Sequence, residues 1–568
     1  MKNALVISLY IFIASTLNAQ QTQHFRPPMD IGLYLSGNFG EIRSDHFHSG
    51  LDFKTQGVSG QKVFAIESGY VSRIKIQAGG YGKALYIDHP GGYTSVYGHL
   101  SSYNAIIDDY IRKIQYSRES HQVDIYLKPG EITVMKGDLV AYSGNTGSSS
   151  GPHLHFEIRS SEQQIPMNGL FFNMPVKDNI APEIRSVVVY PAGDVNGQLI
   201  PGDGNIFTCV KSGQKYSLST GNPVEVSDLS AFGIEVYDYL NDVPNRCGVF
   251  SIELKVDGVR YYYSEMDAVS FSDTRFVNAH IDYGLKNETG RHVQRMHILP
   301  YNNLKIYKDV KNKGFISFND TDIHNVDVNI SDSYGNQSQL SFQVRKKMQA
   351  DRPVVPASCE NYIQYNKEYS IATAGINVQF QPYSFYSDIC LDFFSEPGPA
   401  TLYSDIFSIG NVLVPVHRPF NIEIPVSGVP DKYYDKLCLV TVGENETVYA
   451  GGNYSGGKVS GSSRNFGKYA VGIDTVAPVI NALNLYHGKN LSDQPGIRFI
   501  ITDDFSGISE YNGYVDNQWI LFEYDPKKNL LVYEFDDRVP ISKKNHELEL
   551  YITDNKGNKA IYHTTFYR

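Results

Sequence analysis

A glycine-rich stretch, Gly144-Asn-Thr-Gly147-Ser-Ser-Ser-Gly151-Pro152, runs directly into His153-Leu-His155-Phe-Glu-Ile-Arg159. The first segment reads as a turn, and the second alternates polar and apolar residues at the period of a strand. That alternation sets His153 and His155 on one face of a sheet and packing residues on the other. Two imidazoles at i and i+2 project side by side, so one can ligate a metal while the other stays free.

Upstream, His48-Ser-Gly-Leu-Asp52 offers an imidazole and a carboxylate four positions apart. They reach one metal only if the backbone curls between them, which Gly50 permits. A catalytic zinc keeps three ligands from His, Asp and Glu and leaves the fourth position to water. His48, Asp52 and His155 would fill those places, with His153 beside the water as a group able to move protons near neutrality. His99, in Tyr97-Gly-His99-Leu100, is a further candidate. The chain has 16 histidines, and a lone one is more often a surface or hydrogen-bonded residue than a ligand, so the context carries the weight. No His-Glu-x-x-His helix, and no Gly-x-Ser-x-Gly elbow or phosphate-binding loop of convincing form, competes with this reading.

The pattern His-x-Gly-x-Asp, then Tyr-Gly-His-Leu, then Gly-Asn-Thr-Gly followed by Gly-Pro-His-Leu-His-Phe-Glu resembles the lysostaphin or LytM-type zinc endopeptidases that cut peptide bridges of bacterial peptidoglycan; it covers roughly residues 40–160. The resemblance implies a small antiparallel β-sheet domain with a groove, one zinc on His48, Asp52 and His155, and catalytic roles for His99 and His153 in metal-assisted hydrolysis. His46 and His89 have no place in that scheme; His46 is read as a residue supporting a ligand from behind or as a solvated loop residue, His89 as a strand-end residue. Strands are expected at Val63 to Ile76, Ala84 to His89 and Tyr93 to Tyr97. The chain departs from the family after His99 with an insert, about 104–130, whose Ile106, Ile107, Tyr110, Ile111 and Ile114 predict an amphipathic helix. Two roles are open for it: walling one end of the groove, or covering apolar surface.

The chain opens on Met1-Lys2-Asn3, an apolar run from Ala4 to Leu17 and Asn18-Ala19-Gln20, which reads as a cleaved secretory signal over 1–19. The run is too short for a confident membrane span. An exported, periplasmic or extracellular location is expected, with no membrane span after cleavage. The net charge of -11 argues against nucleic acid and against simple attraction to an anionic wall polymer. Cys209, Cys247, Cys359, Cys390 and Cys438 have no metal-like spacing and cannot all pair with one another; one or two disulfides and small buried residues are both open readings.

At 568 residues, several domains are expected. The fold class reads as mainly β: the peptidase domain over 20–175, then immunoglobulin-like β-sandwich material in short alternating runs. A weak internal repeat divides this tail. Asp178-Asn-Ile-Ala-Pro182 matches Asp474-Thr-Val-Ala-Pro478, Gly233 to Asp238 matches Gly496 to Asp503, and Ile330-Ser-Asp332-Ser-Tyr-Gly-Asn336 matches Ile552-Thr-Asp554-Asn-Lys-Gly-Asn558. Two sandwich copies, 176–347 and 474–568, are expected around a third β-rich module at 348–473. The tail is open between binding glycan, holding an envelope protein partner and acting as a spacer. The function implied is hydrolysis of stem-peptide cross-links, with D-Ala to diaminopimelate bonds preferred over glycine bridges. The alternatives are a non-catalytic regulator of another wall hydrolase and a tail-driven wall-binding scaffold.

Overall fold

The computed structural model describes residues 25–220, 222–348, 359–542 and 544–568, so the expected signal segment lies outside the described residues. Among the described residues no helix is long and apolar enough to cross a membrane. The chain is mainly β, as expected.

The first unit is built on a twisted antiparallel sheet whose strands run in the order Leu35–Gly37, Leu51–Lys54, His153–Ser160, Tyr93–Leu100, Lys83–His89, Gly69–Ile76 and Val123–Tyr126. Strand His153–Ser160 shows why this sequence folds so: Leu154, Phe156 and Ile158 are fully buried in the core, while the intervening polar residues share the other face, His153 and His155 at the groove and Glu157 and Arg159 buried beside it. The expected strand from Val63 to Ile76 is instead two. Lys62–Phe64 pairs with Leu139–Tyr142 in a separate small sheet, and the break comes where Ala65 and Ile66 turn their backbone groups to Asp138, Gly137 and Arg26.

Helix Ala105–Arg118 is capped by the Asn104 side chain on the Ile107 N–H and buries Ile107, Ile111 and Gln115. It does not wall the groove. Its outer face docks on the last unit instead: Tyr116 donates to Asp536, stacks edge-on at 5.6 Å to Trp519, and lies under the Arg538 guanidinium at 4.5 Å. Amphipathic periodicity identifies a helix and its inner face, but cannot say what covers the outer one.

Three further β units follow. The second unit of the chain, from Glu183–Val195 to Gln337–Lys346, curls one continuous sheet around its own apolar core. The third unit pairs two five-stranded sheets between Tyr369–Ala372 and Gly467–Ile473, with Cys359 and Cys390 joined in a disulfide beside it. Cys209, Cys247 and Cys438 are free thiols. The last unit packs a four-stranded on a five-stranded sheet from Val479–Ala482 to Lys559–Tyr567. The first of these units is not a separate bead: Val269, Phe276, Val277, Ala279 and Ile281 belong to the same buried apolar cluster as Leu51, Phe53 and Phe156 of the first sheet.

Candidate metal centre

Strand pairing, rather than local spacing, creates the site. Leu51–Lys54 lies antiparallel to His153–Ser160 in a register that makes Asp52 and His155 direct cross-strand partners, with Gly98 opposite His155 on the other side. His48 arrives from the preceding loop, where its own carbonyl accepts from the Gly40 N–H and its N–H donates to the Glu41 carbonyl. Gly50 serves this approach through its missing side chain. Its backbone is not left-handed, but a Cβ there would stand 2.4 Å from the Phe156 carbonyl oxygen and 3.0 Å from His155 Cε1.

His48 Nε2, Asp52 Oδ1 and His155 Nδ1 converge, at 3.0 Å from His48 to Asp52, 2.9 Å from His155 to Asp52 and 3.1 Å between the imidazoles. All three side chains are buried. Each ring is held from behind: His48 Nδ1 donates to the Asn38 carbonyl at 2.7 Å, and His155 Nε2 donates to Glu157 Oε1 at 2.8 Å. These bonds place the ring protons away from the centre, so two nitrogen lone pairs and a carboxylate oxygen face one point. Such an arrangement is repulsive unless a positive charge sits among them, and it is the arrangement a metal ion requires, partners behind the ligands included. Without an ion, a proton on His155 supplies that charge. Burial lowers the His48 imidazole. At His155 the cost of burial is overcome by Asp52 and Glu157, which raise it to about 9. Asp52 stays well below the usual carboxylate range: burial pushes it up, but His48, His153 and His155 outweigh that.

His153 and His99 stand beside this trio. His153 Nδ1 donates to the Gly151 carbonyl at 2.9 Å, leaving Nε2 at 3.4 Å from Asp52 Oδ1. His99 sits where the pairing with Lys83–His89 shifts register, in a left-handed conformation at φ 57° that is uncommon for a residue with a Cβ. Its Nδ1 donates to the Thr146 carbonyl at 2.8 Å, its ring centroid lies 4.7 Å from that of His153, and burial with the nearby His155 and His153 lowers it to about 3. His46 is exposed on the rim beside Asp45, and His89 ends its strand, buried and bonded to Ser95 and Ser68.

Several groups of the site escape sequence reasoning. Arg43 Nη2 reaches the outer oxygen of Asp52 at 3.1 Å. Glu41, beside it, is raised to about 7 by burial against the opposing pull of Arg43. Glu157 is buried and holds His155, Arg159, Ser49 and Tyr81 together. The groove over the site encloses about 1270 Å³, and Asn245, Arg246, Val269, Phe271 and Thr274 of the second unit line part of it. That unit also grips the rim: Thr274 Oγ1 accepts from the Phe47 N–H, Lys286 Nζ donates to the Arg43 and Ser44 carbonyls, and Gly248 pairs with both amide groups of Asn38.

Fold and site define a metallopeptidase domain. Its family is Peptidase family M23, whose model matches residues 46–116 and 115–168, while residues 360–474 match a Zu5-like domain. A Haemophilus influenzae protein named as an uncharacterized metalloprotease is 34% identical over 136 residues, 24% of this chain and 22% of that protein. The Neisseria meningitidis DD-carboxypeptidase/endopeptidase Mpg is 29% identical over 131 residues, 23% of this chain and 24% of its own length. The chain thus spans about a quarter of the curated relatives it matches. The solved catalytic domain of lysostaphin from Staphylococcus simulans is 25% identical, with 24% of this chain and 87% of that one covered at a TM-score of 0.16.

Proposed function

We propose that this protein is an exported zinc metalloendopeptidase that hydrolyses peptide cross-links of bacterial peptidoglycan, with D-Ala to diaminopimelate bonds as the preferred target. The observation that carries the reading is the convergence of His48 Nε2, Asp52 Oδ1 and His155 Nδ1 at the floor of an open groove. The M23 match, the relative named DD-carboxypeptidase/endopeptidase and the apolar start of the chain support substrate class and export.

His48, Asp52 and His155 would hold the zinc. Bound there, the ion supplies Lewis-acid polarisation of a carbonyl and acidification of water. The chain's own residues do the rest. His153 Nε2, kept free of a proton by the Nδ1 bond to Gly151, takes a proton from the attacking water. His99, fixed by Thr146 with Nε2 as its open acceptor, orients that water, and once either ring is protonated it stabilises the developing oxyanion and returns a proton to the leaving amine. Arg43 holds the outer oxygen of Asp52 in place. The groove walls, including Arg246 and Phe271, hold an extended peptide across the site.

Digestion of purified cross-linked muropeptides by the mature protein tests this, with and without chelator. Cleavage that depends on zinc is expected; survival of the cross-linked dimers with zinc bound overturns the reading. His155→Ala is expected to lose metal, whereas His153→Ala and His99→Ala retain it and lose turnover. Metal loss in the His153 variant would reverse the assignment of the two histidines.

A further inference from the structure

Away from the groove, the two copies of the internal repeat each gather three aspartates from the same three places. In the second unit these are Asp178, in the segment leading into the unit, Asp238, directly after strand Leu229–Tyr237, and Asp332, directly after Ile323–Ser331. In the last unit they are Asp474, Asp503 after Gly496–Thr502, and Asp554, the final residue of Asn545–Asp554. In each cluster one carboxylate oxygen from every aspartate lies within 4.8 Å of the others.

The hydrogen bonding is duplicated as well. The first aspartate accepts from the N–H two residues on, Ile180 at 3.0 Å or Val476 at 3.1 Å. The last one accepts from the N–H groups two and four residues on and from the Asn side chain four residues on, 2.7 Å away in both units. What the network leaves over is the same in both: buried carboxylate oxygens with no partner. These are Asp178 Oδ2 and Asp238 Oδ1 in one cluster and Asp474 Oδ2 and Asp503 Oδ2 in the other. Asp238 is only 2% exposed and Asp474 only 3%. An orphaned carboxylate oxygen at that depth is costly, and two beside a third carboxylate more so.

We propose that each three-aspartate cluster is a site for a hard divalent cation of the calcium class, which ties the incoming linker to the sandwich it enters. All donors are carboxylate oxygens, the set that selects calcium or magnesium over zinc or copper. Three carboxylates carried on three separate segments suit the larger, flexibly coordinated calcium ion better than magnesium, which demands a near-ideal octahedron and keeps its waters. Without a cation, burial first and then the neighbouring carboxylates push both Asp178 and Asp238 well above the usual carboxylate range. The second cluster lies in the field of the buried Lys556 ammonium, so it binds the more weakly of the two.

The first site bears on the groove. Asp238 exchanges both backbone hydrogen bonds with Cys247, the next residue is the Gly248 that grips Asn38, and Asn38 holds His48. A cation on Asp238 therefore stiffens the wall that orients a zinc ligand.

Calorimetric titration of the full mature chain, zinc-loaded and freed of calcium, tests the proposal without recourse to activity. Two calcium ions per chain are expected, with magnesium weaker. Asp238→Asn, which removes charge without bulk, is expected to fold and to bind one, Asp503→Asn likewise, and the double variant none. Calcium is expected to raise the melting temperature of the unsubstituted chain and not of the double variant. Absence of calcium binding at millimolar concentration overturns the proposal, and so does a stoichiometry that neither substitution changes.

Discussion

Glu157→Gln separates metal tuning from plain structural support. The Glu157 side chain is fully enclosed and accepts from His155 Nε2 at 2.8 Å, from Ser49 at 2.7 Å, from the Tyr81 hydroxyl and from the guanidinium of Arg159, itself 5% exposed. These partners, chiefly Arg159, hold the carboxyl far below its usual range against the cost of burial. An amide of the same shape has one acceptor oxygen and an NH2 that is itself a donor. With its oxygen in the Oε1 place it serves His155, Ser49 and Tyr81 but turns its NH2 on Arg159; with its oxygen in the Oε2 place it serves Arg159, and the serine and tyrosine hydroxyls must turn round to accept. Breaking a buried ion pair from one side costs on the order of 3–5 kcal/mol; the remaining amide hydrogen bond puts the expected loss near the lower end, about 3 kcal/mol by urea unfolding of the metal-free protein. Independently, His155 loses the carboxylate that makes it a strong donor, which lowers metal affinity about 10–100-fold, roughly 1.4–2.7 kcal/mol, in competition with a chromogenic chelator. Arg159→Met is the control: it is expected to lose stability and keep metal affinity. If Glu157→Gln loses stability but binds metal within about threefold of the parent, Glu157 only partners Arg159, and the tuning argument fails.

Gly50→Ala is expected to lose about 1–3 kcal/mol of stability by overpacking and to weaken metal binding, because the new methyl strikes the Phe156 carbonyl and the edge of His155; a melt and a metal titration check both. Acid stability has a defined origin in His280 and His297, which burial lowers to about 4 and about 3. Their folded values lie below the unfolded one, so their contribution is intact above about pH 6.5 and is lost as pH falls, at about 1.4 kcal/mol per pH unit for each until its folded value is reached; His297→Phe, between the Tyr190 and Phe315 rings, is expected to shallow that slope in urea unfolding below pH 6. Residues 25–175 alone are expected to aggregate or to lack a cooperative melt. Removing the rest uncovers the partners of Val269, Phe276, Val277 and Ile281, at about 1.5–3 kcal/mol per side chain, which together approaches the whole stability of a domain; a sharp melt with unchanged metal affinity would falsify the shared-core argument.

The convergence of His48, Asp52 and His155 is legible in the sequence because its signals are local: a glycine turn, a strand with histidines two apart, and a His–Asp spacing of four. Even so, Gly50 was read for backbone freedom, whereas the fold uses it for close approach to Phe156 and His155. The strand expected from Val63 to Ile76 broke because Ala65 and Ile66 find partners in Asp138, Gly137 and Arg26, all distant in sequence. The groove's second wall was invisible for the same reason, since nothing near His48 in the chain announces Arg246, Phe271 or Gly248. The repeat was legible as three matching segments. That each contributes one aspartate to a common point became visible only when strand pairing brought them together.

The tail touches the catalytic elements from two directions. From one side Gly248, Thr274 and Lys286 fasten the loop that carries Arg43 and His48. From the other, Lys527 of the last unit donates to the Asn145 and Ser149 carbonyls, and Glu523 pairs with Lys83 at 2.8 Å. The loop so held carries Thr146 and Gly151, whose carbonyls fix the protonated nitrogens of His99 and His153. One part-exposed ion pair and a few hydrogen bonds are individually weak, but those of Lys527 act on the backbone segment that orients His99 and His153. Asp52 and His155 are thus positioned by a rigid sheet, His48 by a loop that the second unit fastens, and His99 and His153, proposed to handle the proton, by a loop that the last unit fastens. Motion of that unit would therefore reach His99 and His153 before it reached His48, Asp52 or His155, and turnover would respond to the tail at constant metal occupancy.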